Sequence, residues 1–107
     1  MSDIRLQKLI AMETTRADDP FVKFALAQEY VNTDSTDKAI EYYELLLNSF
    51  PTYVPTYYHF GKLKESQGLI TEAITIYKKG IEAAAVAKDV HAGNELKEAL
   101  FLVEEED

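Results

Sequence analysis

A pair of helical segments that returns after 34 residues constrains this chain more than any other feature. Laid over each other at that shift, residues 20–53 and 54–87 put Leu26 on Phe60, Ala27 on Gly61, Ala39 on Ala73 and Ile40 on Ile74. Tyr43 falls on Tyr77 and Leu47 on Ile81, while the first turn carries Asp34 where the second carries Gly68. Only three of the 34 positions are identical, so the match is one of kind: large on large, small on small, turn former on turn former. A helix pair recurring at this interval describes a stacked helical solenoid, in which each unit buries its apolar face against its neighbours.

Helical periodicity runs almost from end to end and predicts six antiparallel helices, an all-α fold. In the first, from Asp3 to about Thr15, Leu6, Leu9, Ile10 and Glu13 share a face with Met12 beside them. Asp19-Pro20 opens the second, because an aspartate oxygen accepts from orphan N–H groups and proline suits the first helical position. It runs to Asn32 with Phe24, Ala27, Tyr30 and Val31 spaced for packing, and Asp34 tolerates the left-handed turn that follows. The third, Thr36 to Ser49, carries Ala39, Ile40, Tyr43, Leu46 and Leu47 on one stripe, extended by Phe50 and stopped by Pro51. A fourth helix starts near Pro55 and continues to Gln67, where Gly68 supplies a C-terminal turn. The fifth spans Ile70 to Ala87 with Ala73, Ile74, Tyr77, Ile81 and Ala84 inward. Asp89 caps a sixth that reaches about Glu104 and turns Leu96, Ala99, Leu100 and Val103 inward.

These residues resemble the tetratricopeptide repeat family. The first unit reads Lys23-x2-Leu26-Ala27-x2-Tyr30, then Ala39-x3-Tyr43, then Pro51; the second reads Tyr57-x2-Phe60-Gly61-x2-Lys64, then Ala73-x3-Tyr77. Small residues at Ala27, Gly61, Ala39 and Ala73 let the helices of a hairpin approach, and Tyr43 and Tyr77 are expected to fill the space between neighbouring hairpins. Lys23 stands where the family has Trp, Lys64 where it has Tyr, and Ala85 replaces the closing Pro of the second unit, so the fifth helix should run past the usual stop.

The resulting plan is a single domain over 1–107: a capping helix in 1–17, repeats at 20–53 and 54–87, a capping helix in 88–104 and an acidic tail at 104–107. The first helix aligns as the second helix of a unit, with Leu9 falling 34 residues before Tyr43 and Met12 before Leu46. The last, with Lys97, Glu98 and the acidic tail, suits a cap with a wet outer face. Gly80 replaces Leu46 of the first unit and Ala84 replaces Phe50, which predicts that the last helix docks closely over both.

Composition narrows function. Eleven Lys and Arg against 19 Asp and Glu give a net charge of −8, which excludes a uniformly basic nucleic-acid binder. Half of the excess negative charge lies in Glu104, Glu105, Glu106 and Asp107, read as a solvated end. Without cysteine there is no disulfide framework, thiolate zinc site or cysteine nucleophile. No apolar run approaches the roughly 18–20 residues of a membrane span, and the first residues lack a signal-peptide core, so a cytoplasmic protein is expected. His59 and His91 have no histidine partner at helical spacing. His91-x3-Glu95 places an imidazole and a carboxylate on one face, a pair common by chance. No phosphate loop or nucleophile elbow is present, so no enzyme activity, metal or cofactor is expected.

Seven Tyr and five Phe are the better lead. Tyr30, Tyr43, Phe60 and Tyr77 occupy packing positions. In the resembled family the first helix of each unit lines a concave face, which implies a groove presenting Phe21, Phe24, Gln28 and Asn32, with Tyr58, Lys62 and Glu65 from the next unit. The competing reading packs Phe24 and Tyr58 against each other or under the terminal helices. An aromatic floor with a few polar groups suits a protein or peptide segment. Related repeats that hold acidic chaperone C-termini use a clamp of Lys, Arg and Asn; Phe24, Gln28, Tyr58 and Lys62 do not make one. The expected function is non-catalytic protein binding, and self-association as a symmetric homodimer is the alternative.

Overall fold

The computed structural model describes residues 2–104, with side chains described for 4–104. Among them six α-helices follow one another with no strand: α1 Ser2–Thr15, α2 Pro20–Asn32, α3 Thr36–Ser49, α4 Pro55–Ser66, α5 Ile70–Ala87 and α6 Val90–Glu104. Local chemistry sets the boundaries. Asp19 Oδ1 accepts from the Phe21 N–H at 2.9 Å, with Pro20 opening α2. Asp34 and Gly68, equivalent in the repeat, both turn left-handed, at φ 61 and 77. Asp89 Oδ1 accepts from the Ala92 N–H at 3.0 Å and caps α6. With Ala85 in place of proline, α5 runs 18 residues against 14 for α3, until Lys88 takes φ 59 and stops it.

The chain divides into two compact units, Met1–Phe50 and Pro51–Asp107. Residues 105–107 of the expected acidic tail lie outside the described residues.

In the first unit, α2 and α3 form a hairpin and α1 lies on α2. Val22, Leu26, Ala27, Ala39 and Leu46 are wholly buried, and the Phe24 and Tyr43 rings meet at 6.4 Å. Tyr30 stacks on Tyr42 at 5.7 Å, and Lys38 Nζ sits 5.7 Å above the Tyr30 ring. The expected inner face of α1 is largely observed: Leu6, Leu9, Met12 and Glu13 are half-buried. Ile10 is exposed instead, because the helical step past Leu9 carries it over the edge of the stripe. Glu13 binds both helices of the hairpin: Oε2 lies 3.1 Å from Lys23 Nζ on α2, and Oε1 accepts from the Tyr42 hydroxyl on α3 at 2.8 Å. Lys23 thus occupies the family's Trp position as the cationic partner of α1. Glu13→Ala should cost about 2 kcal/mol, since it strips a charged partner from a nearly buried ammonium. Urea unfolding would measure the loss, and faster hydrogen exchange confined to α1 would show where it falls.

In the second unit α4 and α5 form the hairpin, and α6 lies on α5 and, less extensively, on α4. The Tyr77 ring lies directly on Gly61: a Cβ built there would stand 2.2 Å from Tyr77 Cε1. The repeat tyrosines thus each meet a residue of their own hairpin. Tyr77 fills the inside of its own hairpin and Tyr43 faces Phe24 in its own, so the small residue receives a ring rather than a helix backbone. The Tyr77 hydroxyl donates to Glu65. At Gly80 a Cβ would stand 2.5 Å from Tyr57 Cβ and 3.0 Å from Leu96 Cδ1, so α6 docks there as expected, with Tyr57 of α4 sharing the space. Tyr57 in turn donates its hydroxyl to the Pro51 carbonyl at 2.5 Å. Lys64, in the family's Tyr position, is buried and pairs with Glu72 at 2.8 Å. The outer face of α6 is less wet than expected, with Val90, Phe101 and Leu102 exposed beside Lys97 and Glu98.

Thr56 is wholly buried, and its hydroxyl has no hydrogen-bond partner among the described residues. The equivalent residue of the first unit is Val22, also wholly buried. Thr56→Val should therefore stabilise the chain by about 1 kcal/mol, read from a thermal melt.

Candidate functional site

Between α4 and α6 the second unit leaves an open groove. Its wider part, about 400 Å³, lies between Pro55, Tyr58 and His59 on one side and Asp89, His91 and Glu95 on the other. A narrower part, about 170 Å³, continues past Tyr58 to Lys62, Glu98 and Leu102. Tyr58 and Glu95 line both parts. Three consequences of helical spacing build it. Pro55, Tyr58 and Lys62 follow one another at i, i+3 and i+7 along α4. On α6, Glu95, Glu98 and Leu102 do the same. The inner face of α6 is fixed by Leu96, Ala99 and Val103, all buried, which leaves the acidic flank toward α4.

Tyr58 is half-buried, meets the His59 ring edge-on at 5.5 Å and carries Lys62 Nζ 5.6 Å above its own ring. Lys62 pairs with Glu65 at 3.7 Å, and Glu65 also accepts from Tyr77. Burial pushes the His59 imidazole below its ordinary pKa and the Glu95 carboxylate partly offsets this, so His59 is neutral at pH 7. His91 Nε2 lies 3.7 Å from Glu95 Oε2 at an exposed position. Among the described residues no group of three His, Asp or Glu is placed to hold a metal ion. The arrangement offers an aromatic surface, apolar walls and a one-sided row of carboxylates.

The residues that sequence assigns to one groove lie on both units. On α2, Phe21 is 56% exposed, Asn32 is exposed and Gln28 half-buried, while Phe24 is buried against Tyr43 in the hairpin core. On α4, Tyr58 and Lys62 line the α4/α6 groove. Glu65 lies one turn from Lys62 and is engaged by Lys62 and Tyr77. Sequence reasoning missed the contribution of α6: Asp89, Glu95, Glu98 and Leu102. The available signal was order along the chain, since α6 follows α5 as α4 follows α3; the poor fit of α6 to the repeat pattern hid it.

Comparison with known proteins follows the same lines. A family model described as tetratricopeptide repeat matches residues 22–53 and 54–86. The solution NMR structure of a tetratricopeptide repeat domain protein from Salinibacter ruber is similar at 38% identity and a TM-score of 0.81, covering 84% of this chain and 91% of that one. A crystal structure of a tetratricopeptide repeat domain protein from the same organism gives 38% identity, a TM-score of 0.79, and coverage of 83% and 100%. A protein from Bordetella parapertussis, solved in solution, gives 26% identity, a TM-score of 0.80, and coverage of 95% and 89%. No curated protein sequence matches the chain significantly.

Proposed function

The chain belongs to the tetratricopeptide repeat family, and from that premise we propose that it is a non-catalytic module that takes a segment of a partner protein in the α4/α6 groove of its second unit. Repeats of this family generally mediate protein–protein interaction, and the family is typically non-catalytic. The observation that carries the reading is the open groove itself, with Tyr58 at its centre and Leu102 at its narrow end. Its walls are regular helices, so binding there costs little ordering of the protein. On α2 of the first unit, Phe21, Gln28 and Asn32 offer further surface for a partner. No helix among the described residues is long and apolar enough to cross a membrane. A chain that draws nothing from disulfides suits the cytoplasm.

The test is affinity capture with the wild-type chain and with Tyr58→Ala/Leu102→Gln, first checked by circular dichroism. A protein retained by the wild type and lost by the folded variant supports the groove. Equal capture by both moves the binding site elsewhere. Self-association is the second reading, favoured by the adjacent exposed side chains of Phe101 and Leu102. A monomeric mass by light scattering at high concentration removes it.

A further inference from the structure

We infer that the α4/α6 groove selects a peptide segment bearing a cationic side chain, arginine above lysine. The inference rests on the groove reading above and adds the chemistry of the occupant. The α6 side supplies Asp89, Glu95 and Glu98. Asp89 commits Oδ1 to the Ala92 N–H and keeps Oδ2. Glu95 lies 3.7 Å from the exposed His91 imidazole and close enough to His59 to act on it electrostatically, and His59 is neutral at pH 7. Glu98 has no partner among the described residues. Among the described residues that line the opposite side the one cation is Lys62, and Glu65 already matches its charge. The groove therefore presents an uncompensated negative wall.

The α4 side supplies the complementary feature. The Tyr58 ring already accommodates an ammonium, that of Lys62, so its face attracts cations. A guanidinium is planar, stacks on an aromatic ring and pairs with carboxylates in two-pronged fashion, which an ammonium does not. Pro55 and Leu102 offer apolar surface for the methylene stem. An acidic segment would meet three carboxylates and be repelled. The net charge of −8 steers basic segments toward the chain and acidic ones away.

The experiment is selection from a random peptide library displayed on phage, panned on the full 107-residue chain. Selected peptides are then synthesised with arginine or with citrulline, which keeps the shape and removes the charge. The expected result is a shared arginine or lysine, binding weakened about tenfold or more by citrulline, and weakening as salt rises. Glu95→Gln/Glu98→Gln should bring the arginine and citrulline peptides to equal affinity. Glu95→Lys/Glu98→Lys should turn the preference toward a glutamate-bearing peptide. All four substitutions are at exposed positions, so the fold is retained. Peptides that lose binding with Tyr58→Ala yet bind equally with citrulline would leave the groove standing and overturn its cationic preference. Peptides indifferent to Tyr58→Ala and to all four α6 substitutions, or no enrichment at all, would overturn the groove itself.

Discussion

Alanine at Gly61 or Gly80 destabilises the chain by about 1–3 kcal/mol, although alanine is the better helix former by about 1 kcal/mol. The new methyl group at 61 would have to occupy the space of the Tyr77 ring, which is wholly buried and tied through its hydroxyl to Glu65. At 80 the obstacle is Tyr57 Cβ, an atom that moves only with the α4 backbone. Gly80→Leu adds a clash with Leu96 and should reach or pass the upper end of that range. In a domain of this size each kcal/mol lowers the melting temperature by about 4–8 °C. Gly93 is the internal control. A Cβ there would lie 3.7 Å from Ala84 Cβ, an ordinary contact, so Gly93→Ala should raise stability by about 0.5–1 kcal/mol. A melt of Gly80→Leu indistinguishable from wild type would show that α6 does not dock on α5 at this point.

Alkaline unfolding should be steep. Burial pushes the Tyr43 hydroxyl up to about 12 and raises that of Tyr77, which the Glu65 hydrogen bond raises further. Burial also raises Tyr57, and burial and then Glu13 raise Tyr42. Unfolded tyrosines ionise near pH 10, so above that pH the unfolded chain has released protons that the folded chain still holds. Stability is therefore fully present below about pH 10 and falls as pH rises toward 12. A tyrosine held neutral in this way removes at most about 1.36 kcal/mol per pH unit. Tyr43 and Tyr77, almost wholly out of water, together remove at most about 2.7 kcal/mol per unit. The urea midpoint measured from pH 9 to 12 should fall accordingly, and Tyr43→Phe should flatten the slope by about one proton. A midpoint constant to pH 11.5, within the window of about 10 to 12, would refute the burial of these hydroxyls as the cause.

The helices and their ends were legible because each is written in a few adjacent residues. Asp19-Pro20, Asp34, Gly68 and Asp89 act within one turn of where they stand. Gly80 was also legible, since a glycine in place of Leu46 inside a strong helix has a cost that close packing explains. The period was less informative about depth. It gives the side of a helix a residue faces, but not which of two neighbouring helices it meets. So the inward position of Tyr77 was clear while its seat on Gly61 was not, and Phe24 read equally well as groove floor or as packed against Tyr58 or under a terminal helix, while its partner Tyr43 went unread. Glu13 shows a related limit: its place among apolar residues marked it as inward, but its two partners lie 10 and 29 residues away. Half of the groove stayed hidden for another reason. A wall made by α6 depends on how α6 packs against α4, and no spacing within α6 encodes that.

One exchange between the two hairpins bears on how such a chain can change over time. Tyr30 and Lys38 in the first unit hold the places of Lys64 and Glu72 in the second. A cation above a ring in one hairpin thus replaces an ion pair in the other. Of the two single-step routes between these forms, the one through a Tyr–Glu pair avoids a clash of charge, and the one through a Lys–Lys pair does not. Tyr30→Lys alone sets two ammonium groups together, and Glu72→Lys alone strips Lys64 of its counterion and puts a like charge in its place. The order in which the two positions change is therefore constrained, and in a chimera of the repeats the crossover that joins Lys64 to Lys38 would set two cations together while the reciprocal one would not.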